Sequence, residues 1–228
     1  MKATVFFDKF SKEYESQDRN KYLFYRWIVQ NIIKQVNRGD SDIVDIGTGT
    51  GNLAFRLAIR YPKSRILGVD ISKGMIGEAK AKCGRMGITN VRFKISSIEN
   101  LRIGNIDFVV SALAFHHVCN KNLVISSIYP KLSERGRLVI GDWFEPSPQY
   151  VKGVEKLRRR NPELAKRFDK SWEEALKGMS REYGEKHPQE YPVSQTDLAG
   201  FMKNAGFTKQ RVLKSLLPNF AVVMGEKR

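Results

Sequence analysis

Residues 43–51 read IVDIGTGTG, and this stretch decides the fold of the chain. The apolar run at 43–46 predicts a short buried strand that leads directly into three alternating glycines. Glycine permits a tight turn and a close approach of the backbone to a ligand, and the helix predicted at 52–60 would present its amide end to that ligand. The stretch therefore predicts a strand, a loop and a helix arranged around a nucleotide-like ligand.

Two other interpretations of these glycines explain the residues less well. A dinucleotide-binding fingerprint, GxGxxG, that begins at Gly47 requires Gly or Ala at position 52, where the chain has Asn52. A purely structural turn needs neither three alternating glycines nor an acid, Asp45, two residues ahead of them. A ligand-binding loop is therefore the better interpretation.

Outward from this stretch, strand and helix patterns alternate along the chain. The hydrophobic pattern predicts an N-terminal helix at 21–36 and a regular series of elements after the glycines. Strands are predicted at 65–70, 91–96, 106–113 and 137–143, and helices at 73–86 and 121–132. This alternation indicates βαβ units around a parallel sheet, with ligands at the carboxyl ends of the strands, so the predicted fold class is α/β.

The alternation is interrupted in the last third of the chain. Residues 145–193 are rich in charged residues and helix formers, with prolines as breaks, and they predict an inserted helical lid. A capped helix at 194–205 and two strands at 207–212 and 220–225 then close the chain with a hairpin. We expect residues 1–228 to form a single domain, with 1–38 as an N-terminal cap region.

Composition limits the partners and the compartment. The 228 residues carry a formal net charge of +16, but the basic excess is spread along the chain, so charge alone does not identify a nucleic-acid partner. Cys83 and Cys119 lack metal-ligand spacing, which predicts two free thiols and argues against a zinc site. No signal peptide and no membrane-spanning apolar window is recognisable, so we expect a cytoplasmic protein that does not bind membranes.

The segment DIGTGTGNLA, residues 45–54, resembles motif I of the class I S-adenosylmethionine (SAM) dependent methyltransferases. The similarity continues in the same order through residues 5–143 and again through 194–225. It implies a Rossmann-like seven-stranded sheet, SAM as the cofactor and S-adenosylhomocysteine as its product. It also implies that Asp45 helps to hold the ammonium group of SAM and that the loop binds its methionine part, through Gly47, Thr48, Gly49 and Gly51.

Asp70 ends the predicted strand at 65–70 and matches the second motif of that family. A carboxylate at this strand end can accept hydrogen bonds from both ribose hydroxyls of SAM. An Asp after a strand is also a common helix cap, but Ser72 is available for that role. We therefore assign Asp70 to the ribose and expect Ile71 to lie against the adenine ring.

Ser97 and Ile98 occupy the place where relatives usually carry an Asp and a small apolar residue that bind adenine. A serine hydroxyl can accept a hydrogen bond from the exocyclic amine, but a neutral acceptor is weaker than a charged one. The backbone amide of Ile98 can bind adenine whatever its side chain. The adenine contact at Ser97 is thus a departure from the family pattern.

The segment IDFVVSALAFHHV, residues 106–118, resembles motif IV of small-molecule methyltransferases, including quinone C-methyltransferases. It does not resemble the Asn/Asp-Pro-Pro-Tyr/Phe signature of enzymes that methylate nucleobase nitrogens. The resemblance places Ser111 at the cofactor and His116 and His117 beside the transferable methyl group. Either imidazole could remove a proton from the acceptor, and His117 is preferred because it matches the position that is most often His in relatives.

Aromatic residues from distant segments are candidates for closing the site. In the family an N-terminal aromatic folds over SAM, and Phe7 and Tyr14 in FDKFSKEY match that pattern, with Tyr14 as the expected contact. Trp143 and Tyr183 are expected to line the acceptor pocket, with Tyr191 as an alternative to Tyr183. Aromatic residues at such places serve ordinary packing equally often.

Three functions are compatible with the sequence. The first is methylation of a small metabolite beneath the helical lid. The second is RNA or tRNA methylation, which the net charge favours but which its even spread and the lack of an RNA-binding segment oppose. The third is SAM binding without turnover. The sequence identifies neither the acceptor nor the choice between a monomer and a homodimer.

Overall fold

Seven strands form one mixed sheet in the computed structural model, which describes residues 2–16, 21–183 and 188–228. The side chains at 15, 16 and 179–183 lie outside this description. The strands are β1 (Asp42–Ile46), β2 (Arg65–Asp70), β3 (Val91–Ile95), β4 (Ile106–Ala112), β5 (Leu132–Trp143), β6 (Thr208–Lys214) and β7 (Phe220–Glu226). The helices are α1 (Ala3–Lys9), α2 (Ser11–Ser16), α3 (Leu23–Ile33), α4 (Asn52–Arg60), α5 (Lys73–Met86), α6 (Lys121–Ile128), α7 (Pro148–Arg160), α8 (Pro162–Tyr183) and α9 (Gln195–Asn204).

The strand order is β3-β2-β1-β4-β5-β7-β6, and β7 alone runs antiparallel to both of its neighbours. The chain runs outward from β1 to β3 and then returns to β4 on the other side of β1. This reversal brings the loops after β1 and β4 side by side, which is where open α/β sheets bind their ligands. The α/β fold, the seven strands and the C-terminal hairpin are therefore confirmed.

The central strand β4 is buried on both faces of the sheet. Phe108 and Val110 pack on the side of α3, α4 and α5, whereas Val109 packs on the side of α6 and α9. Such two-sided burial explains the continuous apolar run that predicted this strand. On the first side α3 approaches the sheet closely, because a Cβ atom at Gly141 would lie only 2.5 Å from Ile28 Cγ2.

The insert forms two helices, α7 and α8, and these contribute to the core. Ser171 Oγ of α8 accepts a hydrogen bond from Leu23 N at the start of α3, at 2.8 Å. Trp172 packs edge-on against Phe24 of α3 and Phe220 of β7, with ring centroids 5.3 and 5.1 Å apart. The insert and the N-terminal helix therefore support each other on the same side of the sheet.

Two predicted boundaries differ from the structure for one local reason. The helix predicted to reach residue 132 ends at Ile128, because Pro130 lies in a short 3-10 turn and cannot continue the α-helical hydrogen bonds. Strand β5 then begins at Leu132 rather than at 137, pairing with Ile106 ahead of a register shift in the ladder. In the part of the chain that is described, no helix has the length and apolar character needed to span a membrane.

Candidate functional site

Two adjoining cavities open at the carboxyl ends of β1, β2 and β4, with volumes of about 60 and 350 Å³. They share a wall to which the cap helix, the glycine loop and the turn after β4 all contribute. The shared residues are Phe7, Gly47, Asp70, Ala114 and His117. Together the two cavities form one cleft at the position that the strand order requires.

Most of the sequence-predicted cofactor residues line this cleft. The first cavity is bordered by Tyr14, Asp45, Gly47, Thr48, Gly49 and Asp70, and the second by Gly47, Asp70, Ile71, Ser97, Ile98 and Ser111. Gly51 borders neither cavity, since a Cβ atom there would lie 2.8 Å from both Phe55 and Phe93 behind the loop. The structure thus brings ten of the eleven predicted residues together, and it gives Gly51 a packing position at the start of α4.

The glycine loop has a backbone that only glycine adopts easily. Gly47, Gly49 and Gly51 have φ angles of 65°, 54° and 84°, all in the left-handed region. At Gly47 space is limiting as well, because a Cβ atom would lie 2.4 Å from Ala114 Cβ in the turn after β4. The loop can therefore lie against the neighbouring turn and still expose its backbone to the cleft.

Asp45 places a buried carboxyl group at the base of the first cavity. Its exposed fraction is 1%, and Thr48 Oγ1 donates a hydrogen bond to Asp45 Oδ2 at 2.7 Å. Burial, together with the nearby charge of Asp70, raises the pKa of Asp45 to about 7. Among the described residues no cation forms an ion pair with this carboxylate, so a cationic ligand group in the cavity would stabilise its ionised form.

Asp70 is held in place from two sides. Gly49 N donates to Asp70 Oδ2 and Ser72 N donates to Asp70 Oδ1, each at 2.9 Å. Burial raises the pKa of Asp70 above its ordinary value, although both backbone hydrogen bonds oppose that change. Ser72, the alternative cap that the sequence offered, caps α5 by accepting from Met75 N at 3.1 Å. Asp70 is thereby left to face the cleft.

Asp8, which the sequence did not indicate, attaches the cap to the sheet edge. Asp8 Oδ1 accepts hydrogen bonds from Ser72 Oγ at 2.6 Å and from Gly74 N at 2.9 Å. These hydrogen bonds, with that of Ser72 the larger, lower the pKa of Asp8. The neighbouring Phe7 consequently enters the cleft, where its ring lies edge-on to His117 at 5.2 Å between centroids.

The two histidines lie in a short turn that Asp142 organises. After β4, Leu113 has a φ of 52°, and this sharp bend leads into a 3-10 turn over Phe115–His117. Asp142 Oδ1 lies 2.6 Å from His116 Nδ1, and Asp142 Oδ2 accepts from His116 N at 3.0 Å. His116 borders neither cavity, whereas His117 borders both. His117 is thus the histidine that faces the cleft.

The two imidazoles have opposite electrostatic environments. Burial disfavours charge on His116, but the Asp142 carboxylate outweighs burial and raises the pKa of His116. Burial, reinforced by the neighbouring His116, lowers the pKa of His117 to about 4. His117 Nδ1 lies 3.0 Å from the carbonyl oxygen of Gln189, which can only accept, so Nδ1 carries the proton and Nε2 keeps a lone pair.

Asp142 was missed although a sequence signal existed. It stands near the carboxyl end of the predicted strand 137–143, the edge at which parallel sheets gather functional side chains. The pattern did not show that β5 lies beside β4 in the register that brings Asp142 to the histidine turn. Strand adjacency of this kind is a tertiary property.

Of the predicted acceptor aromatics, Trp143 does not line the cleft. Trp143 packs with the core on the α3 side and borders neither cavity, and its ring lies 6.3 Å from that of His116. The side chain of Tyr183 lies outside the described residues. Tyr191 N donates to His116 O at 2.8 Å, which brings the end of the insert to the histidine turn through backbone contacts.

The cleft suits a ligand with an ammonium group, ribose hydroxyls and an adenine ring. Thr50 Oγ1 and Ser111 Oγ are buried at the cleft without a hydrogen-bond partner among the described residues. Such orphaned groups are costly unless a ligand or water satisfies them. The buried carboxylate of Asp45, the half-buried carboxylate of Asp70 and the exposed apolar side chain of Ile71 complete a set of groups that match SAM.

Comparison with known proteins agrees with this geometry. A family model described as a methyltransferase domain matches residues 37–206. An uncharacterised methyltransferase from Bacillus cereus is 28% identical over 158 residues, which cover 68% of this chain and 70% of that protein. A demethylmenaquinone methyltransferase from Thermus thermophilus is 29% identical over 131 residues, 57% of this chain and 59% of that protein.

Solved structures share the fold over the whole chain. A SAM-dependent methyltransferase from Aquifex aeolicus has a TM-score of 0.65 at 16% identity and covers 97% of this chain and 98% of its own. A magnesium protoporphyrin IX methyltransferase from Synechocystis with bound S-adenosylhomocysteine also has a TM-score of 0.65, at 17% identity and 99% coverage of both chains. With a family match over most of its length and the corresponding fold, the chain belongs to the class I SAM-dependent methyltransferases.

Proposed function

We propose that this methyltransferase acts on a small-molecule acceptor that binds in the cleft beside His117. The observation that carries the proposal is the composition of the cleft wall. Among the described residues that border the two cavities there is no Lys or Arg. A nucleic-acid acceptor would need cations near its phosphates. In the part of the chain that the structure describes, the Lys and Arg side chains that contribute to the net charge of +16 therefore do not line the cleft, which a polyanion would have to enter.

Each part of the cofactor would be bound by cleft residues of matching chemistry. When bound, SAM supplies an electrophilic methyl group on a sulfonium. Asp45 would hold its ammonium group and Asp70 its ribose hydroxyls, since both carboxylates border the cleft and are already oriented by hydrogen bonds. Ile71, Ser97 and Ile98 border the second cavity and would receive the adenine ring.

The cap would exclude water from the reacting groups. Methyl transfer is an in-line displacement, so the protein chiefly aligns the partners and keeps solvent away. Phe7 borders both cavities, and Asp8 ties its helix to α5. Tyr14 borders the first cavity from the next helix. These contacts support a role for residues 1–38 as a cover over the cofactor.

His117 would face the acceptor with the unprotonated Nε2. That nitrogen can take a proton from a hydroxyl or an activated carbon as the new bond to the methyl group forms. His116 would act through His117 and Asp142 rather than on the acceptor, because it borders neither cavity. An amine acceptor would need alignment alone.

The insert would close the acceptor side. Residues Gln189 and Tyr191, at its end, both make backbone contacts with the histidine turn, which supports a role for 145–193 as a lid within one domain. A cytoplasmic location belongs to the same proposal, because Cys83 and Cys119 are free thiols and reducing compartments preserve thiols.

The test is a transfer assay with methyl-labelled SAM. Purified protein is incubated with a fractionated metabolite extract and, separately, with bulk tRNA. We expect label in a small-molecule fraction, where mass spectrometry identifies the product. Label transferred to tRNA, with binding that weakens steeply as salt rises, would contradict the proposal and favour the RNA alternative.

A further inference from the structure

A second acidic side chain, in addition to Asp142, lies beside the histidine turn and has no part in the cofactor site. Glu190 follows His117 by 73 positions in the chain, so no local spacing connects the two. The return segment of the insert brings it there, because Tyr191 N donates to His116 O at 2.8 Å and the carbonyl oxygen of Gln189 accepts from His117. Lys121 Nζ donates to the carbonyl oxygens of Val118 and Tyr191 and fixes the same segment.

His116, His117 and Glu190 form a cluster of potential metal ligands. Each offers one donor atom, and these atoms lie within 4.8 Å of one another. Zinc–ligand bonds of about 2.0–2.1 Å bring donors to about 3–3.5 Å from each other. Glu190 is exposed, so its side chain can rotate toward an ion held by the two imidazoles.

Neighbouring groups prepare both imidazoles for metal binding. Asp142 Oδ1 engages His116 Nδ1 at 2.6 Å, and the Gln189 carbonyl oxygen engages His117 Nδ1 at 3.0 Å. In both rings this leaves Nε2 as the nitrogen that can ligate. A carboxylate or carbonyl behind a ligating histidine is the usual arrangement in metal sites, where it sets the tautomer and the ring orientation.

We infer that His116, His117 and Glu190 bind one divalent transition-metal cation of the zinc type. Two imidazoles and one carboxylate match the ligand sets of zinc and of non-haem iron, whereas magnesium and calcium prefer oxygen ligands alone. The negative charges of Glu190 and of the buried Asp142 favour a cation at this point, and together they exceed the positive charge of the nearby Lys121. Three protein ligands leave at least one coordination position open.

The position of this site connects it with the acceptor. His117 borders both cavities, so an ion on its Nε2 would lie at the acceptor side of the cleft. There it could coordinate an acceptor oxygen and lower the pKa of an acceptor hydroxyl. This part rests on the proposed function, and with the ion bound His117 serves as a ligand while the ion activates the acceptor.

The test is a calorimetric titration of Zn²⁺ into the untagged, chelator-treated full chain. We expect one site, with an affinity reduced at least about tenfold in Glu190→Gln and in Asp142→Asn, since loss of a ligand or of its outer partner commonly has that effect. Glu174→Gln, an exposed carboxylate on α8, is the matched control and should bind like the wild type. Co²⁺ in place of Zn²⁺ should give a visible absorption band that Glu190→Gln alters.

Two results would overturn the inference. One is the absence of a stoichiometric Zn²⁺ site in the wild type. The other is a site that persists unchanged in Glu190→Gln but disappears in Cys119→Ser, because the ion would then be held by the exposed thiol of Cys119.

A SAM titration and the transfer assay, run on the same samples as the Zn²⁺ titration, separate the two proposals. Glu190→Gln is expected to bind SAM as the wild type does. A protein that methylates a small molecule and binds no Zn²⁺ contradicts the metal site alone. A protein that binds Zn²⁺ but labels only tRNA contradicts the small-molecule acceptor alone.

Discussion

The cofactor half and the acceptor half of the cleft are assembled differently. The cofactor half comes largely from one continuous stretch, in which Asp45, the glycine loop and Asp70 follow one another across β1, α4 and β2. The acceptor half combines Phe7, His117, Asp142 and the return segment at 189–191, which are far apart in the chain. Local pattern therefore encodes the first half, and only the packing of distant segments creates the second.

The largest effect is expected from a substitution at the tightest backbone contact of the cofactor half. Gly47→Val should weaken SAM binding at least about 100-fold, or about 2.7 kcal/mol. Its Cβ atom would lie 2.4 Å from Ala114 Cβ, at a φ of 65° that a β-branched residue rarely adopts. Calorimetry measures the affinity, and a thermal melt verifies folding. Gly77→Ala on α5, with nothing within 4 Å of its Cβ position, is the control. SAM affinity within threefold of the wild type would contradict the role of this close approach.

The ribose assignment predicts the next largest effect. Asp70→Ala should lower SAM affinity at least about tenfold, because the fixed carboxylate that would accept from both hydroxyls is lost. Calorimetric titration of SAM gives the value directly. Glu134→Ala, an exposed acid on β5, should bind SAM normally. If Asp70→Ala binds as tightly as that control, the ribose lies elsewhere.

The raised pKa of Asp45 predicts that SAM binding in the cofactor half depends on pH. Its carboxyl pKa is raised to about 7, so the ionised form that attracts an ammonium group is lost as the pH falls through 7. The SAM dissociation constant should rise about fivefold between pH 7 and pH 6. Titrations at both pH values measure this ratio. Asp45→Asn should bind more weakly at pH 7 and lose the dependence, and a slope that persists in the variant would assign it to another group.

The smallest expected effect concerns the boundary between the two halves. Asp8→Ala removes the acceptors of Ser72 Oγ and Gly74 N, so the cap should open more often. We expect SAM affinity to fall about threefold and proteolysis of the N-terminal segment to accelerate. Lys12→Ala, an exposed residue of α2, is the control for both measurements. An unchanged cleavage rate in Asp8→Ala would show that other contacts hold the cap.

The fold was largely predictable because its signals are local and repeated. Helices at 52–60 and 73–86 and the strand at 65–70 coincide with α4, α5 and β2, each of which has a regular apolar pattern and clear end signals. The boundary errors fall near Pro130, where a 3-10 turn and an early strand pairing replace the expected helical end. That pairing depends on β4, which lies earlier in the chain and is invisible to a local pattern.

The candidate site was predictable in proportion to how much of it lies within one strand-loop-helix unit. The resemblance located Asp45, Asp70 and His117, and all three border the cleft. Trp143 was favoured by its place at the end of a predicted strand, and the structure packs it against the core instead. Asp142, one residue before it, is the side chain that meets the histidine turn, because successive residues of a strand point to opposite faces.

The sequence by itself determined the α/β order of elements, the left-handed glycine loop and the two carboxylates that flank it, since each depends on residue type and on neighbours within a turn or a strand. Only the tertiary structure decided which histidine faces the cleft, which acid orients its partner, and that Glu190 lies beside them. Those relations depend on strand adjacency and on the return of the insert to the sheet. Both are set by burial of the whole core, which no short segment can specify.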